Sequence, residues 1–580
     1  MSDVPERDAD RRGRRGLLTI ASIAVALAAA DTYVVVLALP DMMAGVGLSI
    51  DDLQKATPVI SGFLLGYIAV LPLLGRLSDL ISRQRVLLGC LALFVVGSAV
   101  TALAVDLGVL VAGRVVQGVG GGGLVPATLA LVADLWPPHR RGTPLGIVGA
   151  VQEVGSVLGP LLGAAVLAVS DWRGIFWLNV ILGLLLAAFL WAAGRAQPGE
   201  RRAPAPGRAP SSAGAPAPAR APSRWVRYAL LTVGVAGVLL ALAAPRALTR
   251  QITLGLPFVP IRGVADVLGA RLGTPLGVVG LLAVLAWLAV AAWAYRSVLR
   301  RVDLPGALLV AVALGAVVLS FASADPEKEV VGPWAVWLLP LALLAVGAGT
   351  VWHRVAAQPL FPRGLFTFRV VCGALASVAV GAALVAVVVD VPVLARLTLT
   401  DSQTAAALVL VRFLLALPVG ALVGGAALRR LGPGVIACAG LLLAAGALGV
   451  MSTWGRGALA DTIPVTFTLV AAGFGLGLAI APVNAAVLDD SEADAHGIAG
   501  SLVIVARMVG MVVGLALLTA YGLRRFYAYV ETLPAQAALE NPAILLDAGI
   551  VQVQTVFIGA AACALAGAAC ALGLGVRRTG

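Results

Sequence analysis

Apolar stretches long enough to cross a lipid bilayer follow one another along almost the whole chain. A transmembrane helix needs about 20 mostly apolar residues to span the hydrocarbon core. By that measure the sequence predicts sixteen spans. They lie near residues 16–39, 57–77, 86–105, 108–132, 143–168, 174–194, 228–244, 275–295, 304–323, 333–353, 369–390, 403–426, 434–452, 464–487, 497–520 and 549–575. The chain is therefore predicted to be an all-α polytopic membrane protein.

The composition excludes a soluble multidomain protein. Apolar residues make up 60% of the chain and charged residues only 12%, whereas soluble domains carry about 25% charged residues. The net charge of +12 could point to nucleic acid. The arginines, however, fall in short loops between apolar segments, as expected of cytoplasmic loops. We therefore predict no nucleic-acid partner, a bacterial inner (plasma) membrane location, and cytoplasmic N- and C-termini.

The predicted spans divide into two halves, because GGAALRRLGPG after the second span of the later half echoes GRLSDLISRQR in the first half. Related halves are typical of rocker-type transporters, whose site lies at the interface between the halves. The segment 228–244 is short and ends at Pro245, so fourteen spans remain an alternative. The predicted regions are a cytoplasmic N-terminus (1–15), a six-helix bundle (16–194), a disordered Pro/Ala/Arg-rich cytoplasmic linker (195–227), inserted central helices (228–353) and a second six-helix bundle (369–575).

The loop GRLSDLISRQR, residues 75–85, combines glycine, acid and arginines at a helix–loop–helix corner. Asp79 can accept hydrogen bonds from a helix N-terminus or pair with an arginine, and either contact would close the cytoplasmic side. We therefore assign conformational gating to Gly75, Asp79, Arg83 and Arg85. The alternative is a basic loop in which Asp79 only caps a helix.

Arg114 lies inside a predicted span, in the stretch VAGRVVQGVGGGG. An arginine within a membrane is costly by several kcal/mol on the more lenient scales, so it should face a partner or a wet cavity. Gln117 follows one helical turn later. The alternative is an arginine that extends its charge to the periplasmic surface.

The stretch GAVQEVGSVLGPLLG, residues 149–163, combines a carboxylate with a set of glycines. Gly155, Gly159 and Gly163 recur every four residues, so they share a helix face and permit close helix packing. Glu153 lies about 200° around the helix from Gly155 and points nearly the opposite way. The packing motif as a whole comprises Gly146, Gly155, Gly159, Pro160 and Gly163.

Glu153 and Arg507 each lie ten residues into a predicted span from the cytoplasmic side. At 1.5 Å per residue both are about 15 Å deep, near the middle of the bilayer. Opposite charges at equal depth in opposite halves can pair across a central cavity, and protonation of the acid would release them. The alternative is a permanent buried ion pair.

Four of these motifs, in chain order, resemble signatures of the major facilitator superfamily: DTYVVVLALP (31–40), GRLSDLISRQR, RVVQG and the glycine–proline set. They resemble in particular its drug:proton antiporter branch, in which a helix pair is inserted between the bundles. The resemblance implies two pseudo-symmetric six-helix bundles, alternating access driven by the proton motive force, no cofactor, and neither a catalytic nor a metal site. It also implies a proton-coupling and ion-lock set of Asp31, Arg114, Glu153 and Arg507.

A narrower resemblance involves GAVQEVGSVLGPL, DWRGIFWLN (171–179) and HGIAGSLVIVARMVGM (496–511). These stretches are similar to mycobacterial exporters of triacylglycerol, which act with a periplasmic lipid-binding lipoprotein and also affect drug efflux. The resemblance implies proton-coupled export of a triacylglycerol-like lipid toward the periplasm, with that lipoprotein as a partner and the chain as a monomer. The alternatives are a multidrug:proton antiporter and a non-transporting scaffold. The three scattered histidines argue against an enzyme.

Two features have no assigned role in that family pattern, and a third, a long helix, agrees with the narrower resemblance. The spans near 228–295 form an extra pair, joined by a predicted periplasmic loop at 246–274. Arg412 is a charge within a span. From Gly497 to Val530 no proline interrupts the sequence, and a helix of this length would measure about 51 Å against a core of about 30 Å. We expect the helices around 520–548 to project into the periplasm, although an ordinary loop is the alternative.

Overall fold

The computed structural model describes residues 8–48, 53–195, 224–249, 251–322, 331–400, 403–492, 495–532 and 542–575, and within these ranges the regular elements are helical. We number the α-helices in chain order. They are α1 Asp8–Gly45, α2 Leu53–Leu80, α3 Arg83–Leu103, α4 Leu107–Leu135, α5 Gly142–Val169, α6 Arg173–Arg195, α7 Arg224–Ala243, α8 Arg246–Thr249, α9 Ile252–Gly255, α10 Val264–Leu268, α11 Pro275–Ala294, α12 Arg296–Val302, α13 Leu304–Ala322, α14 Ala335–Val355, α15 Phe368–Thr398, α16 Gln403–Ala427, α17 Pro433–Met451, α18 Thr462–Asp489, α19 His496–Glu531 and α20 Pro542–Leu572.

Sixteen helices in the described ranges are long and apolar enough to cross a membrane. They are all of the numbered helices except α8, α9, α10 and α12. The all-α polytopic fold is therefore confirmed. The alternative of fourteen spans is disfavoured because α7, which covers the doubtful segment, is a continuous 20-residue helix that stops just before Pro245.

Several helices extend beyond the predicted spans. Helix α1 covers 8–45 instead of 16–39, and α15 runs to Thr398 although we ended the span at Asp390. The helix continues past Asp390, whose side chain is buried at 4% exposure.

Described helices extend into the predicted linker 195–227 at both of its ends. Arg195 is the last residue of α6, and residues 224–227 begin α7. Residues 196–223 lie outside the described residues, as do residues 1–7 of the predicted N-terminus and the C-terminal residues 576–580. Residues 8–15, which we had placed before the first span, belong to α1.

The two six-helix bundles repeat the same packing pattern. In the N-terminal bundle (α1–α6), α1 packs on α5, α4 packs on both α2 and α3, and α3 packs on α6. In the C-terminal bundle (α15–α20), α15 packs on α19, α18 packs on both α16 and α17, and α17 packs on α20. Each pair in one bundle has its counterpart fourteen helices later, so the halves are related as the loop echo indicated.

The glycine run in α4 explains how one helix contacts two neighbours closely. A Cβ atom on Gly118 would lie 2.1 Å from the Phe63 carbonyl oxygen of α2, and one on Gly120 would lie 2.3 Å from the Phe94 nitrogen of α3. Only a residue without a side chain allows backbones to approach so closely. This is the small-residue packing expected of membrane helices.

The central helices form two pairs, α7 with α11 and α13 with α14. The first pair contacts the N-terminal bundle through α3, whereas α13 packs on both α2 and α19 and so bridges the two bundles. The segment 246–274, predicted as a loop, contains α8, α9 and α10. It is held near the end of α7 because the Arg271 guanidinium donates to the Leu242 carbonyl.

Helix α19 is continuous over 36 residues, as the absence of proline predicted. At 1.5 Å per residue it measures about 54 Å, so it is much longer than the hydrocarbon core of about 30 Å. Part of the predicted projection, residues 533–541, lies outside the described residues. Where α19 lies relative to a membrane surface stays a prediction.

The close packing of α5 on α1 makes a first testable prediction. A Cβ atom on Gly155 would lie 2.3 Å from the Ala26 carbonyl oxygen, whereas nothing lies within 4 Å of one on Gly89, an exposed glycine of α3. We expect Gly155→Ala to lower the unfolding free energy by about 1–3 kcal/mol through overpacking. The measurement is the thermal midpoint of the detergent-purified protein. Gly89→Ala is the matched control and should not lower that midpoint; equal midpoints for the two variants would contradict the packing assignment.

Candidate functional site

The interface between the two bundles carries the candidate site. We call the side of the molecule with the loops near 81–82, 136–141 and 428–432 the basic end, because the two motif loops and WPPHRRG lie there. The site consists of two polar contacts at this end and an ion pair farther along the interface.

Asp79, at the end of α2, joins the bundles by accepting two backbone hydrogen bonds from the start of α19. Its Oδ1 atom lies 2.7 Å from the Gly497 nitrogen and its Oδ2 atom 3.1 Å from the Ile498 nitrogen. The free N–H groups and the dipole of a helix N-terminus favour a carboxylate there. Arg83 also pairs with Asp79 at 3.0 Å. Both contacts considered for Asp79 from the sequence are therefore formed together.

The other members of the predicted gating set take different positions. Gly75 lies at the bundle contact, where an added Cβ atom would be 2.6 Å from the Gly497 carbonyl oxygen. Arg83 donates through Nε to Asp134 at 3.1 Å, which ties α3 to α4. Arg85 has an exposed side chain with no partner among the described residues. Two residues of helix turn it away from Arg83, and its assignment to gating stays a prediction.

A second contact across the basic end was missed by sequence reasoning. Arg141 lies 3.2 Å from the Asp489 carboxylate of α18, and its guanidinium also donates to the carbonyls of Ala133 and Trp136. Beside it, a Cβ atom on Gly142 would lie 2.5 Å from the Gly425 carbonyl oxygen of α16. The sequence carried a signal, since Arg141 belongs to WPPHRRG, but nothing in the spacing indicated the partner 348 residues away.

Glu153 of α5 and Arg507 of α19 form an ion pair between the bundles. Arg507 Nη1 lies 3.4 Å from Glu153 Oε1, and the side chains are only 8% and 11% exposed for Glu153 and Arg507 respectively. The two residues come from opposite bundles and equal sequence depth, so the structure brings them together where the depth argument placed them. Removing one partner of such a pair would leave an uncompensated buried charge.

A narrow cavity adjoins this ion pair. It has a volume of about 20 Å³, which is enough for one water molecule. Most of its wall is apolar, and its polar lining is Gln152, Ser377, Asn484 and Arg507. The Asn484 Oδ1 atom has no hydrogen-bond partner among the described residues. The cavity therefore offers polar groups on both bundles next to the Glu153–Arg507 pair.

Asp31 forms a separate network inside the N-terminal bundle. Its Oδ2 atom lies 2.5 Å from Arg114 Nη1, and its Oδ1 atom accepts hydrogen bonds from Gln117 at 2.9 Å and Asn179 at 2.6 Å. Arg114 is 1% exposed and its guanidinium stacks 4.4 Å from the Phe63 ring centre. Arg114 thus has the buried partner that its cost in a membrane requires.

This network specifies how two members of the predicted set meet. Arg114, grouped with the proton-coupling and ion-lock residues, pairs with Asp31 of the same set, and its partners among the described residues belong to the N-terminal bundle. Sequence reasoning also missed two members, Asn179 of α6 and Ser98 of α3, which hydrogen-bonds Gln117 at 2.9 Å. Asn179 is the last residue of DWRGIFWLN, and its polarity inside an apolar span was the available signal.

The glycine set performs two packing roles. A Cβ atom on Gly155 or Gly159 would clash with the carbonyls of Ala26 or Ala30 in α1. Gly146 instead faces the other bundle, where an added Cβ atom would lie 2.8 Å from the Ala421 carbonyl oxygen of α16. Pro160 and Gly163 lie farther along α5. The face opposite Gly155 is the one from which Glu153 reaches Arg507, as the helix geometry predicted.

The remaining intramembrane charges belong to the C-terminal bundle. Asp390 is 4% exposed, and its Oδ2 atom has no hydrogen-bond partner within the described residues. Arg412 is partly exposed and forms no ion pair within the same ranges. Neither residue joins the contacts described above, so Arg412 stays without an assigned role.

Comparison with known proteins agrees with this architecture. The family model described as Major Facilitator Superfamily matches residues 21–365. A triacylglyceride transporter of Mycolicibacterium smegmatis is 36% identical over 539 residues, which cover 91% of this chain and 79% of that protein. A triacylglyceride transporter of Mycobacterium tuberculosis is 36% identical over 552 residues, which cover 93% of this chain and 88% of that protein.

Among solved structures, the proton:xylose symporter XylE, a protein of the same superfamily, has a similar fold. The TM-score is 0.50 at 13% sequence identity, and the match covers 95% of each chain. At this identity the likeness concerns the fold alone. The matched family model, the relatives that share over a third of their residues with this chain, and the repeated six-helix bundles agree: the chain is a multi-pass membrane protein that belongs to the major facilitator superfamily.

Proposed function

We propose that this protein is a proton-coupled secondary active exporter that moves a triacylglycerol-like lipid from the inner membrane toward the periplasm by alternating access. The observation that carries the proposal is the buried Glu153–Arg507 pair, which joins the two bundles at 3.4 Å. A protonatable acid whose partner lies on the opposite bundle can couple proton binding to the relative position of the bundles. A non-transporting scaffold has no need of such a pair.

Protonation of Glu153 would remove the charge that holds Arg507 at the interface. Arg507 would then be a buried charge without its carboxylate, which is unfavourable until water or other polar groups solvate it. Separation of the bundles around the adjoining cavity provides that solvation, with Gln152 and Asn484 already in its wall. The proton thereby shifts the equilibrium between two arrangements of the bundles. The proton motive force supplies the energy, and no cofactor is needed.

The two basic-end contacts support an arrangement that is closed at the basic end. Asp79 on the N-terminus of α19 and Arg141 on Asp489 both connect the bundles at this end. The basic loops favour the cytoplasm for this side and for both termini. The conformation is then one closed to the cytoplasm, and transport requires these contacts to break and re-form in every cycle.

A neutral lipid agrees with the chemistry of the interface. Asp31 and Glu153 are both paired with arginines, so neither is free to hold a cationic ligand in this conformation. The wall of the cavity beside Glu153 is mainly aliphatic, with Val125, Leu129 and Ile480 among its residues. The relatives named triacylglyceride transporters support the same substrate class.

The length of α19 suggests how a lipid could leave the membrane. Helix α19 exceeds the hydrocarbon core by about 24 Å, and α20 starts at Pro542 after a short connection. Projection of this pair into the periplasm would extend an apolar path toward an acceptor. A periplasmic lipid-binding lipoprotein is the partner that such a path would serve, with the exporter itself acting as a monomer.

One observation favours the second candidate function, a multidrug:proton antiporter. A site for lipophilic cations needs a buried acid that is not already paired. The Asp390 Oδ2 atom is buried and has no hydrogen-bond partner among the described residues. Asp390 is therefore the residue on which that alternative depends.

Export should depend on Glu153. We expect Glu153→Gln to reduce proton-driven export of labelled triacylglycerol from proteoliposomes to background, because a neutral amide can neither carry the proton nor hold Arg507 by charge. Glu531→Gln is the matched control, since Glu531 is an exposed acid at the end of α19. Both variants should reconstitute at wild-type levels. Normal export by Glu153→Gln would refute the assignment.

The Asp79 contact should control access at the basic end. Asp79→Asn removes the negative charge of the carboxylate that accepts two backbone N–H bonds and pairs with Arg83. A hydrogen bond to a charged group contributes about 1.5–3 kcal/mol to stability. We expect a cysteine placed at the buried Ser501 to react roughly tenfold faster with a water-soluble maleimide in the Asp79→Asn background. A cysteine at Ser452, on the opposite side of the molecule, is the control. Unchanged labelling at Ser501 would show that this contact does not hold the end closed.

The two substrate classes can be separated at Asp390. For a lipid exporter, Asp390→Asn should leave triacylglycerol export within about twofold of wild type. For a cation antiporter, the same change should abolish proton-driven uptake of ethidium into inverted vesicles. Asp547→Asn, at the start of α20, is the control for loss of an acid outside the interface. The antiporter would be favoured if Asp390→Asn lost ethidium transport and the wild-type protein exported no triacylglycerol.

A further inference from the structure

A large cavity at the basic end lies apart from the interface site. It has a volume of about 900 Å³, within the range of ligand pockets. It is formed where the extra pair α7–α11 joins the pair α13–α14 through the short helix α12. Its polar lining comprises Arg296, Ser297, Arg301, Asp303, Trp352 and Gln358.

Helix α12, with the sequence RSVLRRV, is amphipathic. Arg296, Ser297 and Arg301 are exposed, whereas Val302 is 1% exposed and packs inward. Two arginines are thus fixed on one short helix that lines the cavity while its apolar side faces the protein. A helix with basic residues on one side and apolar residues on the other is typical of a membrane interface.

The aromatic residues around α12 agree with an interfacial position. The Arg296 guanidinium lies 5.5 Å from the Trp293 ring centre, and the Arg227 guanidinium of α7 lies 5.9 Å from the Tyr295 ring centre. Tryptophan and tyrosine gather at the level of lipid headgroups.

The one acid of the lining does not cancel the arginines. Both oxygens of Asp303 already accept hydrogen bonds, from Trp352 Nε1 and the Leu360 nitrogen at 2.7 Å and from the Gly306 nitrogen at 3.1 Å. These hydrogen bonds hold the Asp303 carboxylate against the cavity wall, at the junction between α12 and α13. Arg296 and Arg301 together with Asp303 give the described lining a formal charge of +1.

We infer that this cavity binds the phosphate headgroup of an anionic phospholipid, with Arg296 and Arg301 as the residues that hold the phosphate. The bilayer supplies such a ligand at the level of α12, and arginine is the side chain best suited to phosphate oxygens. Helix α12 also packs on α2, which carries Asp79 at its end. The bound lipid would give the inserted helices a role as an anchoring site beside the transporter core.

The test uses the full chain in detergent and measures phosphatidylglycerol and phosphatidylcholine bound per protein by native mass spectrometry. We expect a preference for phosphatidylglycerol that falls about fivefold in Arg296→Gln or Arg301→Gln and about 25-fold in the double variant. The matched control is Arg429→Gln with Arg430→Gln, two exposed arginines of the basic end outside this cavity. Ser297→Glu keeps both arginines and should also lower the preference.

Each other outcome overturns the inference. Equal losses in the Arg429/Arg430 control would mean that only the overall charge of the basic end matters. Equal retention of the two lipids by wild type would exclude an anionic headgroup site. Displacement of phosphatidylglycerol by soluble glycerol phosphate at a similar concentration would indicate a site for a free phosphate ester instead of a lipid. If the double glutamine variant does not fold, the Ser297→Glu variant decides.

Discussion

A charge inside a membrane protein needs a partner, and the ion pair of Glu153 with Arg507 places the two partners on different bundles. Because either charge alone would be strongly unfavourable, the proposed mechanism makes the relative position of the bundles depend on the protonation state of one carboxylate. The glycines on the opposite face of α5 keep that helix against α1, so movement of Glu153 carries the N-terminal bundle with it. In the proposed mechanism, a local change of charge thereby becomes a movement of a whole bundle.

The contacts at the basic end complement this pair. Asp79 is held by backbone N–H groups and by Arg83, and Arg141 is held by Asp489 and two carbonyls, so both depend on the ends of helices meeting closely. Such contacts are sensitive to small displacements, because a hydrogen bond weakens steeply with distance and angle. The central pair and the basic-end contacts therefore connect α2 and α5 with α18 and α19, and in the proposed cycle one relative motion of these helices would break all of them.

The sequence predicted the fold well because lipid imposes a simple rule on helix length. It also indicated Glu153 with Arg507, since equal depth in related halves is a one-dimensional argument. It could not indicate Asn179 or Asp489, whose partners are set by the rotation of helices distant in the chain. It could not indicate that Arg85 turns away from Asp79 or that Arg114 pairs within its own bundle, for the same reason: spacing gives the face of a helix, but not which neighbour covers that face.

The inserted helices show where a family fold can be extended at little cost. Helix α13 covers the seam between α2 and α19, where an uncovered gap would expose the polar interface to lipid, whereas α7 and α11 contact the core mainly through α3. Because α3 is a peripheral helix of its bundle, an added pair there need not move when the bundles separate. The extra pair can thus bring a new surface, including the arginines of α12, beside the core without resisting the motion that the proposed mechanism assigns to the Glu153–Arg507 pair.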